Sequence, residues 1–251
     1  MTDPLPLLYQ DQDLVVVDKP ADLLVHRTAL DGDDDAALQR VRDQIGQWLY
    51  PVHRLDRPTS GVLVFARSPE AAQRLAADFR DQQVSKHYLA IVRGWPPPSG
   101  TIDRPLKPER NKAPRVSRSR FVRLATTALP IAVSRFPTAR YALVMASPDT
   151  GRYHQLRRHL KGIDHPVIGD VGHGDRHHNR FFRAHFDSHR LLLHAWCLAL
   201  PQPTTRATIV VHAPAPASFA RLADAFGWTL DAATLEAART ALPAAGPAAT
   251  A

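Results

Sequence analysis

The sequence predicts an α+β fold in which a central, mainly antiparallel sheet is flanked by helices. Short apolar runs rich in β-branched residues outnumber the segments with helical periodicity, and the connections between them are short. No internal repeat and no Gly-rich phosphate loop interrupts that pattern.

Taken in order, Leu14-Val15-Val16-Val17 forms a strand stopped by Asp18-Lys19-Pro20. Leu38, Val41, Ile45 and Trp48 recur at helical spacing behind Asp33-Asp34-Asp35, an acidic cluster suited to a helix N-terminus. Val62-Leu63-Val64-Phe65-Ala66, opened by Gly61, is a buried strand. Ser68-Pro69-Glu70 then supplies a cap, a first-turn proline and a first-turn acid. Ala71, Ala72, Leu75, Ala76 and Phe79 follow as one apolar helix face. Residues 86–95 make a central strand ended by Gly94 and the prolines at 96–98, and residues 141–145 and 207–211 make two more. Residues 150–161 follow the second of these as strand, turn and helix, with Tyr153, Leu156 and Leu160 as an apolar stripe for the sheet. Phe219, Leu222, Ala223 and Phe226 mark a final helix closed by Gly227. Residues 1–230 are expected to form one domain, and residues 231–251, rich in Ala and Pro, a disordered tail.

A chain of 251 residues is long enough to bury a real core. It holds no run of eighteen apolar residues, which argues against a membrane span, and Met1-Thr2-Asp3-Pro4 lacks the pattern of a secretion signal. Cys197 is the single cysteine, so no internal disulfide framework exists, and its apolar neighbours suit a buried thiol. A cytoplasmic protein is expected. The 32 basic residues exceed the 24 acidic ones, a net charge of +8 that favours a polyanionic partner. Most of that excess is local. Arg104, Lys107, Arg110, Lys112, Arg115, Arg118, Arg120 and Arg123 face only Glu109, a net +7. Pro105, Pro108 and Pro114 forbid a helix there, so the charge is expected on an extended or mobile arm that contacts phosphates.

The chemistry concentrates at His53-Arg54-Leu55-Asp56-Arg57-Pro58-Thr59-Ser60-Gly61, where one carboxylate sits between two arginines on a turn entering a buried strand. An ionised carboxylate there can be a base, a nucleophile or a metal ligand, or can simply tie down the turn. A hundred residues downstream, Arg157 lies beside the stripe of Leu156 and Leu160, with Arg158 and His154 further round. An arginine at the edge of a buried face needs a carboxylate partner, and Asp56 is the candidate.

These segments resemble the RluA family of pseudouridine synthases. The likeness rests on His53-Arg54-Leu55-Asp56 with Thr59-Ser60-Gly61, and on Thr150-Gly151-Arg152-Tyr153-His154-Gln155-Leu156-Arg157. Asp18-Lys19-Pro20 with Leu24-Val25-His26 and the tyrosine strand Lys86-His87-Tyr88-Leu89-Ala90 extend it. His165-Pro166-Val167-Ile168-Gly169-Asp170 and Arg190-Leu191-Leu192-Leu193-His194-Ala195 complete it, over roughly residues 8–213. Val25-His26-Arg27, residues 41–47 and His173-Gly174-Asp175 are closest to members that modify uridine 65 in the T stem of tRNA. The S4 RNA-binding module common in the family is not expected, because the catalytic fold begins near Met1.

The resemblance implies a pseudouridine synthase fold and isomerisation of a uridine in RNA to its C-glycoside, with no metal and no cofactor. Asp56 is then the essential carboxylate, attacking the ribose or the base or promoting elimination, and Arg157 its cationic partner. Tyr88 is the tyrosine that stacks on the uracil and handles a proton. The target base must be flipped from its stem, with Arg54 filling the vacated stack and Leu192 and Leu193 walling the pocket. His53, Arg57, Arg152, His154 and Gln155 join Arg54 and the basic arm as RNA contacts. The expected partner is tRNA, with ribosomal RNA as the alternative, and a monomer with no obligate protein partner is expected. A catalytically idle RNA-binding protein is a further alternative. The cluster of His173, His177, His178, His185 and His189 raises zinc, but no Cys joins it and its surroundings are cationic, so a loop approaching RNA is preferred.

Overall fold

Short β-rich runs with turns between them pair most readily with their antiparallel neighbours, and the strand order follows that tendency. The computed structural model describes residues 3–26, 35–108 and 112–245. The elements are β1 (Leu7–Gln10), β2 (Leu14–Lys19), α1 (Ala37–Ile45), β3 (Tyr50–Pro51), β4 (Ser60–Ala66), α2 (Pro69–Arg80), β5 (Ser85–Arg93) and β6 (Ser99–Asp103). Then come β7 (Arg118–Leu129), β8 (Ala139–Pro148), α3 (Gln155–Gly162), α4 (Arg176–Phe186), β9 (Leu193–Pro201), β10 (Thr208–His212), α5 (Ala217–Phe226) and α6 (Ala232–Thr240). They gather into two compact units, the first of Met1–Lys86 and Ala195–Pro214, the second of His87–His194 and Ala215–Ala251. Among the described residues no helix is long and apolar enough to cross a membrane.

In the first unit the strands run β1-β2-β4-β9, with β3 on β4 and β10 on β9. The pairs β1–β2, β2–β4, β3–β4 and β9–β10 are antiparallel. Leu14 and Val16 of β2 and Val62 and Val64 of β4 point to one face, where Ala71 and Leu75 of α2 cover them. Their neighbours Val15, Val17, Leu63 and Phe65 are buried too, so β2 and β4 are covered on both faces. The Ser68 hydroxyl caps α2 by accepting from Ala71 N at 3.1 Å, as its sequence requires.

The second unit orders its strands β5-β8-β7-β6, all antiparallel. Ala90 and Val92 of β5 and Ala142, Val144 and Ala146 of β8 form a face on which Leu156 and Leu160 of α3 pack. Tyr141, buried at the start of β8, collects an aromatic cluster with Phe182 at 4.7 Å between ring centres and Phe181 and Phe226 at 6.2 Å.

Four expectations are corrected. Trp48 is not on the first helix, which stops at a left-handed Gly46; the indole is 63% exposed with the Arg42 guanidinium 6.0 Å from its centre. Arg118 to Arg123 belong to β7 rather than to a loop, because alternate side chains such as Ser119 and Phe121 are buried. Residues 176–186 form α4, capped by Asp175 accepting from His177 N and His178 N, so His177, His178 and His185 lie on a helix, while His173 and His189 stand in the segments that flank it. Finally, residues 232–240 form α6, capped by Asp231 and burying Leu235 and Ala238, where a disordered tail is expected. Of the expected acidic cluster before α1, Asp33 and Asp34 lie outside the described residues, and Asp35 pairs with Arg40.

Gly61 has φ 112, and a Cβ there would stand 2.1 Å from the Ala195 carbonyl oxygen of β9. Gly61→Ala is therefore expected to destabilise the protein by about 2 kcal/mol or more, combining backbone strain with overpacking against main chain. Urea denaturation measures this, and an unchanged midpoint would refute the close approach.

Candidate active site

The segment 53–61 is fixed to the first unit by its main chain. Thr59 N donates to Asp56 O at 2.9 Å, closing the turn at the mouth of β4. The Lys19 ammonium is 0% exposed and donates to Pro20 O and Leu23 O at 2.8 Å and to Arg57 O at 3.0 Å. Arg57 Nε reaches back to Asp22 O at 3.0 Å. Leu55 is buried, Asp56 half-buried, and Arg54 and Arg57 exposed. The turn thus presents a carboxylate between two solvent-facing cations.

His53 serves the strand rather than the surface. Its Nε2 accepts from Val64 N at 3.0 Å, and its ring stacks on Phe79 at 4.8 Å and 18°. An acceptor Nε2 requires the neutral imidazole. Burial of the ring, aided by the Lys86 charge, pushes its pKa down to about 3.

The second unit carries the remaining predicted residues. Tyr88 of β5 is half-buried on the face shared with Ala90 and Val92, against the cluster that includes Leu156, Leu160 and Leu193. Leu192 is fully buried and accepts from Ile91 N at 3.1 Å. Both leucines are core residues of this unit.

Arg157 of α3 is 6% exposed, and the structure supplies a carboxylate for it that sequence reasoning did not consider. Its Nε donates to Asp170 Oδ2 and its Nη2 to Asp170 Oδ1, both at 2.8 Å. Asp170, 2% exposed, also accepts from Gly172 N and His173 N at 2.9 Å. Burial opposes the charged carboxylate, yet the Arg157 hydrogen bonds, the His173 N–H and the Arg157 charge outweigh it and hold Asp170 below the usual carboxylate range. Such a two-pronged pair fixes the plane of the guanidinium.

Gln155, expected to contact RNA, is buried and spent inside the protein. Its Oε1 accepts from Thr150 Oγ1 at 2.7 Å and Arg152 N at 2.9 Å, while its Nε2 donates to Arg118 O at 2.8 Å and Ser119 Oγ at 3.0 Å. Ser119 Oγ also meets His159 Nδ1 at 2.9 Å, and His159 Nε2 meets Arg104 O at 3.0 Å. A polar chain therefore anchors α3 to the root of the basic arm. Leu106 and Arg115 close that arm by exchanging hydrogen bonds at 2.9 Å. Lys107, Lys112 and Arg115 are exposed, whereas Arg110 lies outside the described residues. Arg118 pairs with Asp103 at 2.7 Å and Arg120 with Asp149 at 2.8 Å, so neighbouring acids offset part of the expected charge.

Arg152 is exposed and His154 half-buried beside it. In the histidine segment, His178 is buried on the Tyr141 hydroxyl at 2.9 Å.

The model for RNA pseudouridylate synthase matches residues 13–161, which include Asp56, Tyr88 and Arg157. A protein of Pasteurella multocida named tRNA pseudouridine synthase C is 45% identical over 90% of this chain and 98% of its own. One of the same name from Vibrio cholerae is 44% identical over 89% of this chain and 96% of its own. Among solved structures, human RNA Pseudouridylate Synthase Domain Containing 4 superposes with a TM-score of 0.70 at 27% identity, over 90% of this chain and 94% of that one.

Two outcomes follow from the geometry. Because the folded His53 titrates at about 3 instead of 6.5, its contribution is intact above the unfolded value and is lost as pH falls from 6.5 towards 3. His53→Gln should flatten the dependence of unfolding free energy on pH in that window; an unaltered slope would contradict it. Asp170→Asn, which leaves a buried guanidinium without its counter-charge, should cost about 3 kcal/mol in urea denaturation. A loss under about 1 kcal/mol would mean that the pair is dispensable.

Proposed function

This chain belongs to the RNA pseudouridylate synthase family, and we propose that it converts a uridine of tRNA, at position 65 of the T stem, to pseudouridine, with Asp56 as nucleophile. The observation that carries the reading is the Asp56 turn. Its carboxylate stands half-buried in the His53-Arg54-Leu55-Asp56 motif, on main chain held by Thr59 N and by the Lys19 ammonium. The tRNA target is supported by the relatives named for tRNA, which align along nearly their whole length.

In the reaction the N1–C1′ bond of the uridine breaks, the uracil turns, a C5–C1′ bond forms, the C5 proton departs and N1 takes up a proton. No electrons are lost or gained overall, so the chain's own acids and bases suffice for the atom balance. An ionised Asp56 supplies the electron pair that holds the sugar or the base while the uracil is detached. Tyr88 is assigned to the uracil face and to proton handling, and Arg157, with its plane set by Asp170, to the developing negative charge. Arg54, exposed beside Asp56, is assigned to the stack left by the flipped base. The protein is placed in the cytoplasm with its tRNA, as a monomer.

Asp56→Asn should abolish pseudouridine formation while leaving tRNA affinity within a few-fold, because the substitution keeps the shape and replaces the anionic carboxylate with a neutral amide. Purified variant that still forms pseudouridine at a substantial rate would remove Asp56 from the chemistry. Mapping of tRNA from a strain lacking the gene should show loss at position 65; loss confined to ribosomal RNA would refute the target.

A further inference from the structure

Sequence periodicity puts Tyr153 on the apolar stripe of α3, but the structure turns it outward. Tyr153 precedes the first residue of the helix and is 57% exposed, while Leu156 and Leu160 alone of the stripe enter the core. His154 adopts a left-handed conformation, φ 52 and ψ 33, which a non-glycine residue rarely occupies. That conformation brings its ring against Tyr153 at 3.7 Å between centres and 22° between planes. His173 braces the pair from its edge, with His154 Nδ1 and His173 Nε2 3.0 Å apart and the rings at 80°. Asp170 in turn holds the backbone N–H of His173.

Cations tie the basic arm to both sides of this ledge. Arg152 Nε donates to Val116 O at 3.1 Å, beyond the closing bridge of the arm. Arg158 Nη1 donates to Lys107 O at 3.0 Å and to Tyr153 O at 3.4 Å. Lys107, Lys112 and Arg115 are exposed on the tethered arm. A flat aromatic face, backed by a second ring and bordered by phosphate-seeking charge, has the composition that single-stranded nucleic acid demands.

We propose that Tyr153, supported by His154 and His173, is a stacking site for an unpaired nucleobase of the RNA substrate, outside the reacting uridine. The proposal rests on the RNA-modifying function above and adds a residue to it. The bordering cations supply attraction to phosphate, which does not depend on the base. The tyrosine ring supplies a contact that only a base exposing its face satisfies. Stacking needs the flat ring and not the hydroxyl, and this distinguishes it from a hydrogen-bonding role.

The test compares the parent protein with Tyr153→Ala and Tyr153→Phe, using an unmodified tRNA transcript that the parent converts. Tyr153→Ala should raise Kd about tenfold, the size expected for one lost base–aromatic stack. Tyr153→Phe should bind within about twofold of the parent, and the dependence of log Kd on log salt should be the same in all three, since no phosphate contact is removed. Melting temperatures within a few degrees would show that the exposed position leaves the fold intact. Tyr153→Ala binding within twofold of the parent would overturn the proposal. So would equal losses in the Ala and Phe variants, or a shallower salt slope in the Ala variant. A parent that forms no pseudouridine in tRNA would instead sink the function, independently of Tyr153.

Discussion

A lysine ammonium with no exposure to solvent ties together two separate segments of the first unit. Lys19 Nζ lies within 2.8–3.0 Å of three main-chain carbonyls, two from the segment directly after it and one, Arg57 O, from the turn that carries Asp56. Removing a charge from water costs several kcal/mol unless its donors are satisfied, so these carbonyls cannot move apart independently. The turn is thereby locked to the end of β2. Gly61 adds a steric limit on the other side, since the main chain of β9 occupies the space a side chain would need. Asp56 gains a backbone with little freedom to reorganise, which is what its proposed role as nucleophile requires.

The second unit achieves rigidity by a different route. Leu156 and Leu160 seat α3 on the sheet through apolar burial, yet burial alone leaves a helix free to rock about its axis. The buried pair of Arg157 with Asp170 and the relay from Gln155 through Ser119 and His159 to Arg104 act on other sides of the same helix. Hydrogen bonds are directional where packing is not. The relay also explains why Gln155 is buried beside residues that meet solvent: its amide satisfies two donors and two acceptors that would otherwise be stranded in the interior.

Elements with a strong local signature were legible in the sequence. The Ser68-Pro69-Glu70 start of α2 and the apolar β4 needed no tertiary information, and the short antiparallel connections gave the fold class. The failures have physical causes. In β7 the arginines and threonines between Arg118 and Thr127 disguise a strand whose alternate residues are half-buried, and the prolines before it suggest a loop. In α4 polar residues at its buried positions, His178 and Asn179, break the apolar period, although Asp175 before it is an orthodox cap. Helical spacing puts Tyr153 on a helix that starts two residues later, so one displaced boundary turns an exposed ring into an expected core residue. The Asp56 and Arg157 motifs were visible as motifs. Asp170 was visible too, at the end of His165-Pro166-Val167-Ile168-Gly169-Asp170, but nothing local marks it as the partner of a helix residue thirteen positions earlier. A buried arginine calls for a carboxylate, and two stand within the sequence motifs, Asp56 and Asp170.

The same distinction between local and tertiary information bears on charge. Counting from sequence, the segment 104–123 carries nearly all of the net +8. In the folded chain Asp103 and Asp149 lie against Arg118 and Arg120, so neighbouring acids offset part of the count, while Lys107, Lys112 and Arg115 are exposed. Arg158 and Arg152 bind the ends of that arm to the residues around Tyr153. Attraction by the arm acts over roughly the 8 Å screening length of physiological salt, whereas stacking on a ring acts only at contact. Joined by side-chain-to-backbone hydrogen bonds in one unit, the two would on the proposed reading operate in sequence: the charge draws the backbone of the RNA in, and the ring then selects for a base that is free to lie flat.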